Sequence, residues 1–497
     1  MHVDARVLGR RPASRAGART LIIGAGDAGR TLARDLTSSP SLGLRPIGFL
    51  DDDPHWRIRG RLEVLGPLSV LDEVVRDFAV EVVIVAIPSL PPIQLGDLLH
   101  KAAASGARVR YLPTFHAAVQ RGSRGTDLVG VSPASLLGRE EVNVVRPATR
   151  ATVRGRRVLV TGAGGSIGSE LCRQIWSYGP AALYMLDHDE SNLHRLQLEL
   201  NDEALLEAEG LIVADIRDEA RIRQLFESLR PEVVYHAAAH KHLPLLELHP
   251  CEGVKSNVIG TRNVIDAAVS VGTQRFVMIS TDKAADPTSV LGASKRLAEM
   301  VVRSRADHGT SIGSVRFGNV LGSRGSFLHV LAHQVAMHAP VTITDPDVNR
   351  FFMTVEEAVG LVLEAGAMAE EGETFVLDMG EPVRLVSLVE AYAAQMGITD
   401  VQLKFTGLRP GEKLNEELFS AKEAPTLTAH PRISATQGEG LAEEFDALLD
   451  SLADAAARND RHEVVRHLMT LVPEYTPSDP VEATAPTWFD SLYPDDF

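Results

Sequence analysis

The chain has 497 residues, more than one hydrophobic core usually organises, so we expect two or three domains. Its net charge of -16 and the lack of a sustained Lys/Arg stripe argue against a nucleic acid or an anionic membrane surface as the main partner. No apolar run approaches the roughly 20 residues that cross a bilayer, so no transmembrane segment is expected. The two cysteines, Cys172 and Cys251, show no metal-ligand spacing and fit a reducing compartment, so we expect a cytoplasmic protein without a metal.

The N-terminal part predicts a first Rossmann-like domain. Residues 1–18 lack periodicity and predict a mobile tail. Residues 19–115 begin with an apolar run, a glycine turn and an amphipathic helix in TLIIGAGDAGRTLARDL, and IGFLDDD, EVVIVAIP and RVRYLP predict further buried strands. The glycine turn is followed by three aspartates at 51–53, but no catalytic group accompanies it. Nucleotide binding, regulation, oligomerisation and a purely structural role all stay open for this domain.

A second strand-glycine-helix pattern follows a loosely patterned connecting segment at residues 116–155. Residues 156–424 contain RRVLVTGAGGSIGSELCRQI and predicted strands at AALYMLD, GLIVAD, EVVYHAAA, RFVMIS and IGSVRFGN. Residues 425–497 are predicted to be an acidic helical segment with a Pro-rich tail. The chain is therefore predicted to be an α/β protein with two Rossmann-like parallel-sheet domains in tandem.

The second glycine turn predicts a dinucleotide site. A tight turn between a strand and a helix lets backbone N–H groups and the helix N-terminus approach a pyrophosphate. Asp187, at the end of the next strand, is placed to bind an adenosine ribose, which favours NAD over NADP. Asp215 and Ile216, at the end of the third strand, are expected to border the adenine. The turn residues expected to bind the cofactor are Gly162, Gly165, Ser166, Ile167 and Gly168.

A group of reactive side chains follows the predicted strand RFVMI. Thr281, Asp282 and Lys283 lie at its carboxyl end, where open α/β sheets place their ligands. In a continuing strand Thr281 and Lys283 would face away from Asp282, so their convergence requires the chain to leave the sheet there. The simpler alternative is a polar loop with a solvated ion pair.

The next predicted helix carries a further lysine. Ser289 is expected to cap the helix VLGASKRLAEMVV, on which Leu291 and Lys295 lie four residues apart on one face. A lysine at this position is placed to hydrogen-bond a nicotinamide ribose. The alternative for Lys295 is an ordinary surface charge.

These residues resemble those of a known family. From about Thr20 to Pro477 the chain resembles the long-form UDP-N-acetylglucosamine 4,6-dehydratases of bacterial polysaccharide and bacillosamine synthesis, within the extended short-chain dehydrogenase/reductases. The resemblance implies a small substrate lobe, bound NAD, a UDP-sugar substrate and a homo-oligomer. The matching phrases are SLLGRE, VTGAGGSIGSELCRQI, HAAAHKHLPLLELHP, STDKAADPTSVLGASKR, RFGNVLGSRGS, RFFMTVEEA, GLRPGEKLNEEL and LVPEYTP.

The resemblance also implies roles for individual residues. Thr281, Asp282 and Lys283 would be catalytic, Lys295 would be the retained lysine of the YxxxK pair, and Asn257 would belong to the structural-catalytic asparagine motif. The tyrosine of YxxxK falls at Leu291, which cannot take a proton; long-form members are similar in having an apolar residue there. We therefore expect Thr281, relaying to a neighbour, to accept the proton of the sugar 4-OH. The N-terminal membrane bundle of many long forms is missing, so a soluble variant or a truncated version is expected.

The expected chemistry assigns a proton transfer to each catalytic side chain. Hydride transfer from sugar C4 to NAD makes a ketone that acidifies the C5 proton. Lys283 would remove that proton if its pKa is lowered by burial or by a nearby cation such as Lys295. Protonated Asp282 would donate to the departing 6-OH, and the hydride would return to C6. NAD would be regenerated in every turnover and stay tightly bound.

The substrate diphosphate needs fixed cations. Arg350 and Arg409 are the expected ligands because guanidinium forks match phosphate oxygens, although an ordinary ion pair is the alternative for each. Asn319 would add a neutral hydrogen bond, and Lys241, with His242, lies near the expected cleft. The remaining histidines of this region, His236 and His240, are expected to be structural.

Two other functions stay open at this point. A nucleotide-sugar 4-epimerase would use the same 4-keto intermediate but has no need of the Asp-Lys elimination pair. A catalytically silent sensor of NAD or a nucleotide sugar would be consistent with Leu291, whereas the presence of the lysine and the Thr-Asp-Lys group together argues against it. The exact sugar and the configuration at C5 are not determined by the sequence.

Overall fold

The computed structural model describes residues 17–38, 44–52, 62–87, 107–111, 145–201, 210–306, 309–323, 326–337, 339–395, 401–438 and 440–477. They fall into two compact units that divide after residue 138, and residues 389–401 group with the first unit. The expected N-terminal tail up to residue 16, the connecting segment up to residue 144 and the Pro-rich end from residue 478 lie outside the described residues.

Strands and helices alternate along the described residues. The strands are β1 (Ala18–Ile23), β2 (Leu44–Leu50), β3 (Val64–Gly66), β4 (Val82–Val85), β5 (Arg108–Tyr111), β6 (Arg157–Thr161), β7 (Ala182–Asp187), β8 (Leu211–Val213), β9 (Val233–His236), β10 (Arg275–Ile279), β11 (Ser311–Arg316), β12 (Asn319–Leu321), β13 (Val341–Ile343), β14 (Asn349–Arg350), β15 (Phe352–Thr354), β16 (Glu371–Leu377), β17 (Val383–Arg384), β18 (Leu403–Phe405), β19 (Thr426–Leu427) and β20 (Ile433–Thr436). The α-helices are α1 (Asp27–Ser38), α2 (Leu71–Asp77), α3 (Pro147–Val153), α4 (Ser166–Ser177), α5 (Glu190–Asn201), α6 (Glu219–Leu229), α7 (Leu243–Leu248), α8 (Pro250–Gly253), α9 (Gly260–Ser270), α10 (Val290–Arg303), α11 (Phe327–Ala336), α12 (Val355–Met368), α13 (Leu385–Gln395), α14 (Phe445–Ala457) and α15 (Arg461–Leu471).

The first unit contains a five-stranded parallel sheet. Its strand order is β3-β2-β1-β4-β5, so the chain starts in the middle and crosses to either side. The apolar runs that predicted strands form β1, β2, β4 and β5, because continuous apolar stretches are buried on both faces of a parallel sheet. The short strand β3 was not predicted.

The second unit contains a nine-stranded sheet. Seven neighbouring strands are parallel, in the order β8-β7-β6-β9-β10-β11-β16. The first six follow the order of a dinucleotide-binding sheet, in which ligands bind at the carboxyl ends of the strands. The predicted α/β class with two Rossmann-like parallel sheets is confirmed. Strands β20 and β19 extend the edge in antiparallel pairing and were not predicted.

The C-terminal helices belong to the core of the second unit. Phe445 and Leu449 of α14 and Leu468 of α15 are buried in the same apolar cluster as Leu159 of β6 and Phe276 of β10. The predicted boundary near residue 425 is therefore wrong, because β19, β20, α14 and α15 complete the sheet and its core. The acidic residues on the exposed face of α14 led to the prediction of a separate segment, although the opposite face is apolar.

No helix in the described part of the chain combines the length and the apolar character needed to cross a membrane.

Candidate active site

The glycine turn after β6 has a geometry that only glycine permits. Gly162 has φ +67°, and a Cβ there would lie 2.6 Å from the Ala238 nitrogen. A Cβ at Gly168 would lie 2.0 Å from the Gly162 carbonyl oxygen, so the first turn of α4 packs directly on the strand end. The five turn residues predicted to bind a cofactor, Gly162, Gly165, Ser166, Ile167 and Gly168, all lie at this junction of β6 and α4.

The predicted acids follow the two neighbouring strands. Asp187 ends β7, and its Oδ2 accepts a hydrogen bond from the Gly164 N–H at 2.8 Å. Asp215 and Ile216 come just after β8, where Ile216 is buried. Hydrogen bonds from the Arg217 side chain, against a smaller effect of burial, lower the pKa of Asp215. Since β6, β7 and β8 are adjacent and parallel, the glycine turn and these residues share one edge of the sheet.

The Thr-Asp-Lys group converges on a single carboxylate oxygen. β10 ends at Ile279, and a 3-10 helix at Asp282–Ala284 turns the chain out of the sheet, as predicted. The Thr281 hydroxyl and the Lys283 ammonium each donate to Asp282 Oδ1, both at 2.9 Å. Asp282 is 1% exposed, and its Oδ2 has no hydrogen-bond partner among the described residues. The alternative of a solvated ion pair is therefore wrong.

A second carboxylate, which was not among the predicted site residues, contacts the same lysine. Glu416 Oε1 lies 3.5 Å from Lys283 Nζ. Burial lowers the pKa of Lys283, but the carboxylates of Asp282 and Glu416 outweigh burial and raise it above its ordinary value. The condition under which Lys283 would remove the C5 proton, a pKa lowered by burial or a nearby cation, is therefore not met in this arrangement. Only the matching phrase GLRPGEKLNEEL pointed to the segment that carries Glu416.

The lysine with the lowered pKa is Lys295. α10 begins after Ser289, whose side chain accepts from the Gly292 N–H at 3.1 Å, as the predicted cap requires. Lys295 and Leu291, one turn apart, are both buried. Burial lowers the pKa of Lys295 to about 8, with Glu299 acting in the opposite direction. Its Nζ donates to the Ile279 carbonyl at 2.6 Å, so it lies at the end of β10 rather than on the surface.

Two polar side chains form hydrogen bonds around the end of β9. Asn257 lies in a π-helical turn at Val254–Ile259, a feature that is frequent at functional sites. Its side chain accepts from the His240 N–H at 2.8 Å and donates to the Ser294 hydroxyl of α10 at 3.0 Å. His236 is buried between the hydroxyls of two threonines, and burial lowers its pKa to about 3. A neutral structural histidine fits the expectation.

A buried network of charges lies behind the Thr-Asp-Lys group. Arg316, at the end of β11, is fully buried and donates to both carboxylate oxygens of Glu299 at 2.7 Å. It also donates to Glu423 at 2.7 and 2.9 Å. Ser280, next to Thr281, donates to Glu299 at 2.6 Å. The network ties β10, β11, α10 and the segment around residue 423 together.

The predicted diphosphate ligands lie on different elements. Arg350 of β14 is buried and pairs with Glu412 at 2.9 Å, which is the ion-pair alternative considered for it. Arg409 is exposed, and its backbone N–H donates to the other oxygen of Glu412 at 3.3 Å. One carboxylate thus contacts both arginines. Of the other two predicted ligands, Asn319 begins β12 and is half-buried, and Lys241 is exposed after β9.

Comparison with known proteins finds a family match for each part of the chain. Residues 158–438 match the family described as "Polysaccharide biosynthesis protein", and residues 3–113 match the family described as "CoA-binding domain". The probable polysaccharide biosynthesis protein EpsC of Bacillus subtilis is 41% identical over 428 residues, which are 84% of this chain and 71% of that protein. The capsular polysaccharide biosynthesis protein CapD of Staphylococcus aureus is 39% identical over 422 residues, 83% of this chain and 70% of that protein.

A more distant relative and a solved structure match a little more than half of the chain. A UDP-glucose 4-epimerase of Rickettsia rickettsii is 29% identical over 276 residues, 54% of this chain and 79% of that protein. The X-ray structure of Pen from Bacillus thuringiensis is 32% identical with a TM-score of 0.52, and the match covers 57% of this chain and 88% of that one. The chain therefore belongs to the polysaccharide biosynthesis protein family, within the extended short-chain dehydrogenase/reductases.

Proposed function

We propose that the protein is an NAD-dependent nucleotide-sugar 4,6-dehydratase, with UDP-N-acetylglucosamine as its substrate. The observation that carries the proposal is the Thr281-Asp282-Lys283 group at the end of β10, centred on the buried Asp282, with Lys295 beside the same strand end. An acid-base pair of this kind is what elimination of water across C5 and C6 requires. The choice of sugar rests on the family resemblance.

The glycine turn and the acids beside it fit NAD. The missing side chains at Gly162 and Gly168 leave the backbone uncovered where a pyrophosphate would lie, and Asp187 ends the next strand as a ribose ligand would. Asp215 and Ile216 would border the adenine. When bound, NAD supplies the hydride acceptor for oxidation at C4 and the hydride donor for reduction at C6.

The side chains of the chain itself would move the protons. Thr281 would take the 4-OH proton and pass it to Asp282 Oδ1 along the existing 2.9 Å hydrogen bond. That proton makes Asp282 the acid. Lys283, which is paired with Asp282 as an ammonium in this structure, would release its own proton to solvent to become the base. Lys283 would then remove the C5 proton while Asp282 protonates the departing 6-oxygen.

The substrate diphosphate would bind to Arg350 and Arg409, with Asn319 and Lys241 as further ligands. Glu412 already contacts both arginine residues, so phosphate oxygens would replace its carboxylate at the Arg350 guanidinium. The exchange would keep Arg350 paired both with and without substrate, which a buried guanidinium requires.

A 4-epimerase is the second candidate, since UDP-glucose 4-epimerases are among the relatives. An epimerase would return the hydride to C4 after rotating the 4-keto sugar. It would leave the Asp282–Lys283 pair without a role. This feature favours the dehydratase.

The test is incubation of the purified protein with UDP-N-acetylglucosamine, without added reductant, in deuterated water. The expected product has lost one water and carries deuterium at C5. Mass spectrometry and proton NMR detect these two changes. A Lys283→Met variant should lose this product, whereas Lys404→Met, which removes an exposed lysine, should keep it. An unchanged mass with an altered C4 signal would support the epimerase, and bound NAD without turnover would support a sensor.

A further inference from the structure

Glu416 is a buried carboxylate to which the proposed reaction assigns no role. It lies in the segment between β18 and β19, and its side chain is 3% exposed. Its Oε1 is 3.5 Å from Lys283 Nζ. A carboxylate this deeply buried is stable as an ion only beside a cation, and the lysine ammonium is the cation found there.

The backbone next to Glu416 is held in place independently of this ion pair. The Leu414 carbonyl accepts hydrogen bonds from the Asn349 N–H at 3.0 Å and from the Arg350 guanidinium at 3.1 Å. The backbone that leads to Glu416 is therefore held by β14, separately from the contact between Glu416 and Lys283.

Three charged groups from three elements face the Lys283 ammonium. Asp282 belongs to the same turn, Glu416 to the segment after β18, and Arg350 to β14. The two carboxylates attract the ammonium, and the guanidinium repels it. Glu412 neutralises much of that repulsion because it pairs with Arg350 at 2.9 Å.

We propose that Glu416 is a positioning residue that holds the Lys283 ammonium against Asp282 and keeps this pair charged until substrate enters. An ammonium has three donors. With Asp282 Oδ1 at 2.9 Å and Glu416 Oε1 at 3.5 Å, two carboxylates restrain its position from different elements. The effect of Glu416 on catalysis rests on the proposed dehydratase function. Its effect on the position and charge of Lys283 does not depend on that function.

Loss of the Glu416 charge should make Lys283 lose its proton at lower pH. The carboxylate raises the pKa of Lys283, so Glu416→Gln should lower this pKa, by about one pH unit for an opposite charge at this range. The measurement is acylation of the full-length protein with a small amine-reactive anhydride over a series of pH values. Peptide mass spectrometry then gives the labelling midpoint at Lys283.

The neighbouring acid provides a matched control. Glu417 is exposed, so Glu417→Gln removes the same charge from the same segment and should leave the Lys283 midpoint unchanged. If Glu416→Gln does not fold, Glu416→Asp, which keeps the charge but shortens the side chain, should move the midpoint in the same direction by a smaller amount. Midpoints that coincide in the Glu417→Gln protein and the folded Glu416 variant would overturn the proposal.

Turnover then tests the role in catalysis. The pH profile of water elimination should move to lower pH in Glu416→Gln and stay in place in Glu417→Gln. A wild-type protein that eliminates no water would contradict the proposed dehydratase, and the labelling midpoints would still decide whether Glu416 holds Lys283. A moved midpoint with an unmoved turnover profile would limit Glu416 to the substrate-free enzyme and overturn its catalytic role.

Discussion

Two lysines of the site carry opposite pKa shifts because their neighbours differ. Lys283 lies between two carboxylates, which raise its pKa, whereas burial dominates at Lys295 and lowers its pKa to about 8. At neutral pH Lys295 keeps a proton at a cost to the folded state, since its charged form has lost most of its water. This cost is measurable through the dependence of stability on pH.

The free energy of unfolding should show the Lys295 contribution as a rise with pH. Between about pH 8 and about 10.4, the ordinary lysine pKa, the unfolded chain binds the proton that folded Lys295 has released. The folded state therefore gains stability with rising pH, by up to about 3 kcal/mol over this window. The measurement is urea denaturation of the NAD-free protein and of Lys295→Met, and the wild type should gain relative to the variant.

Lys404→Met serves as the control for that measurement because Lys404 is exposed. Its difference from the wild type should stay constant over the same pH range. A constant difference for Lys295→Met as well would show that Lys295 is not the buried, poorly solvated group that this structure describes.

At the scale of elements, the buried charges around Arg316 join segments that are far apart in the chain. Burial raises the pKa of Glu423, but the Arg316 guanidinium outweighs burial and brings it to about 2. Arg296 of α10 donates to the same carboxylate at 2.7 Å. Arg316, Glu299 and Glu423 are each hydrogen-bonded to a group of opposite charge. Removal of one member would therefore leave a buried charge without its partner.

Replacement of Arg316 should therefore be strongly destabilising. Arg316→Met leaves Glu299 and Glu423 short of a cation, and we expect a loss of about 3 to 5 kcal/mol in the free energy of unfolding. The control is Arg223→Met, which removes an exposed ion pair with Glu219 one helical turn away and should change stability by less than about 1 kcal/mol. Urea denaturation at constant m-value measures both, and equal losses would contradict the structural role of the network.

Elements were predicted best where a local pattern encodes them. The apolar runs of β6, β7, β9 and β10 and the Ser289 cap of α10 were all expected in their observed places. The two edge strands β19 and β20 were missed, because a two-residue and a four-residue strand carry too little periodicity to be recognised.

At the scale of the whole molecule, each unit has its own parallel sheet with a glycine turn after the first strand. In the first unit Gly24 has φ +98°, and a Cβ at Gly29 would lie 1.9 Å from the Gly24 carbonyl oxygen. Asp51 Oδ2 accepts from the Ala25 N–H at 2.6 Å, as Asp187 does from the Gly164 N–H in the second unit. Similar turns thus occur in both units, and the Thr281-Asp282-Lys283 group lies in the second.

The two turns should differ in their effect on bound NAD. Gly168→Ala places a Cβ against the Gly162 carbonyl and should remove most of the bound NAD, whereas Gly29→Ala disturbs the first unit and should leave the NAD content unchanged. NAD released by heat from the purified protein measures this. Gly440→Ala, at a position with open space, is the control. Loss of NAD in the Gly29→Ala protein alone would contradict this prediction and show that NAD binds in the first unit.

The sequence by itself determined the α/β class, the two glycine turns, the Thr-Asp-Lys group and the helix of Lys295, because each depends on residues close together in the chain. Tertiary structure alone decided the partners of those residues. Glu416 reaches Lys283, Glu412 reaches Arg350, and the C-terminal helices complete the core. Such contacts join distant segments without any local period, and they determine which lysine has the lowered pKa because pKa values depend on neighbours in space.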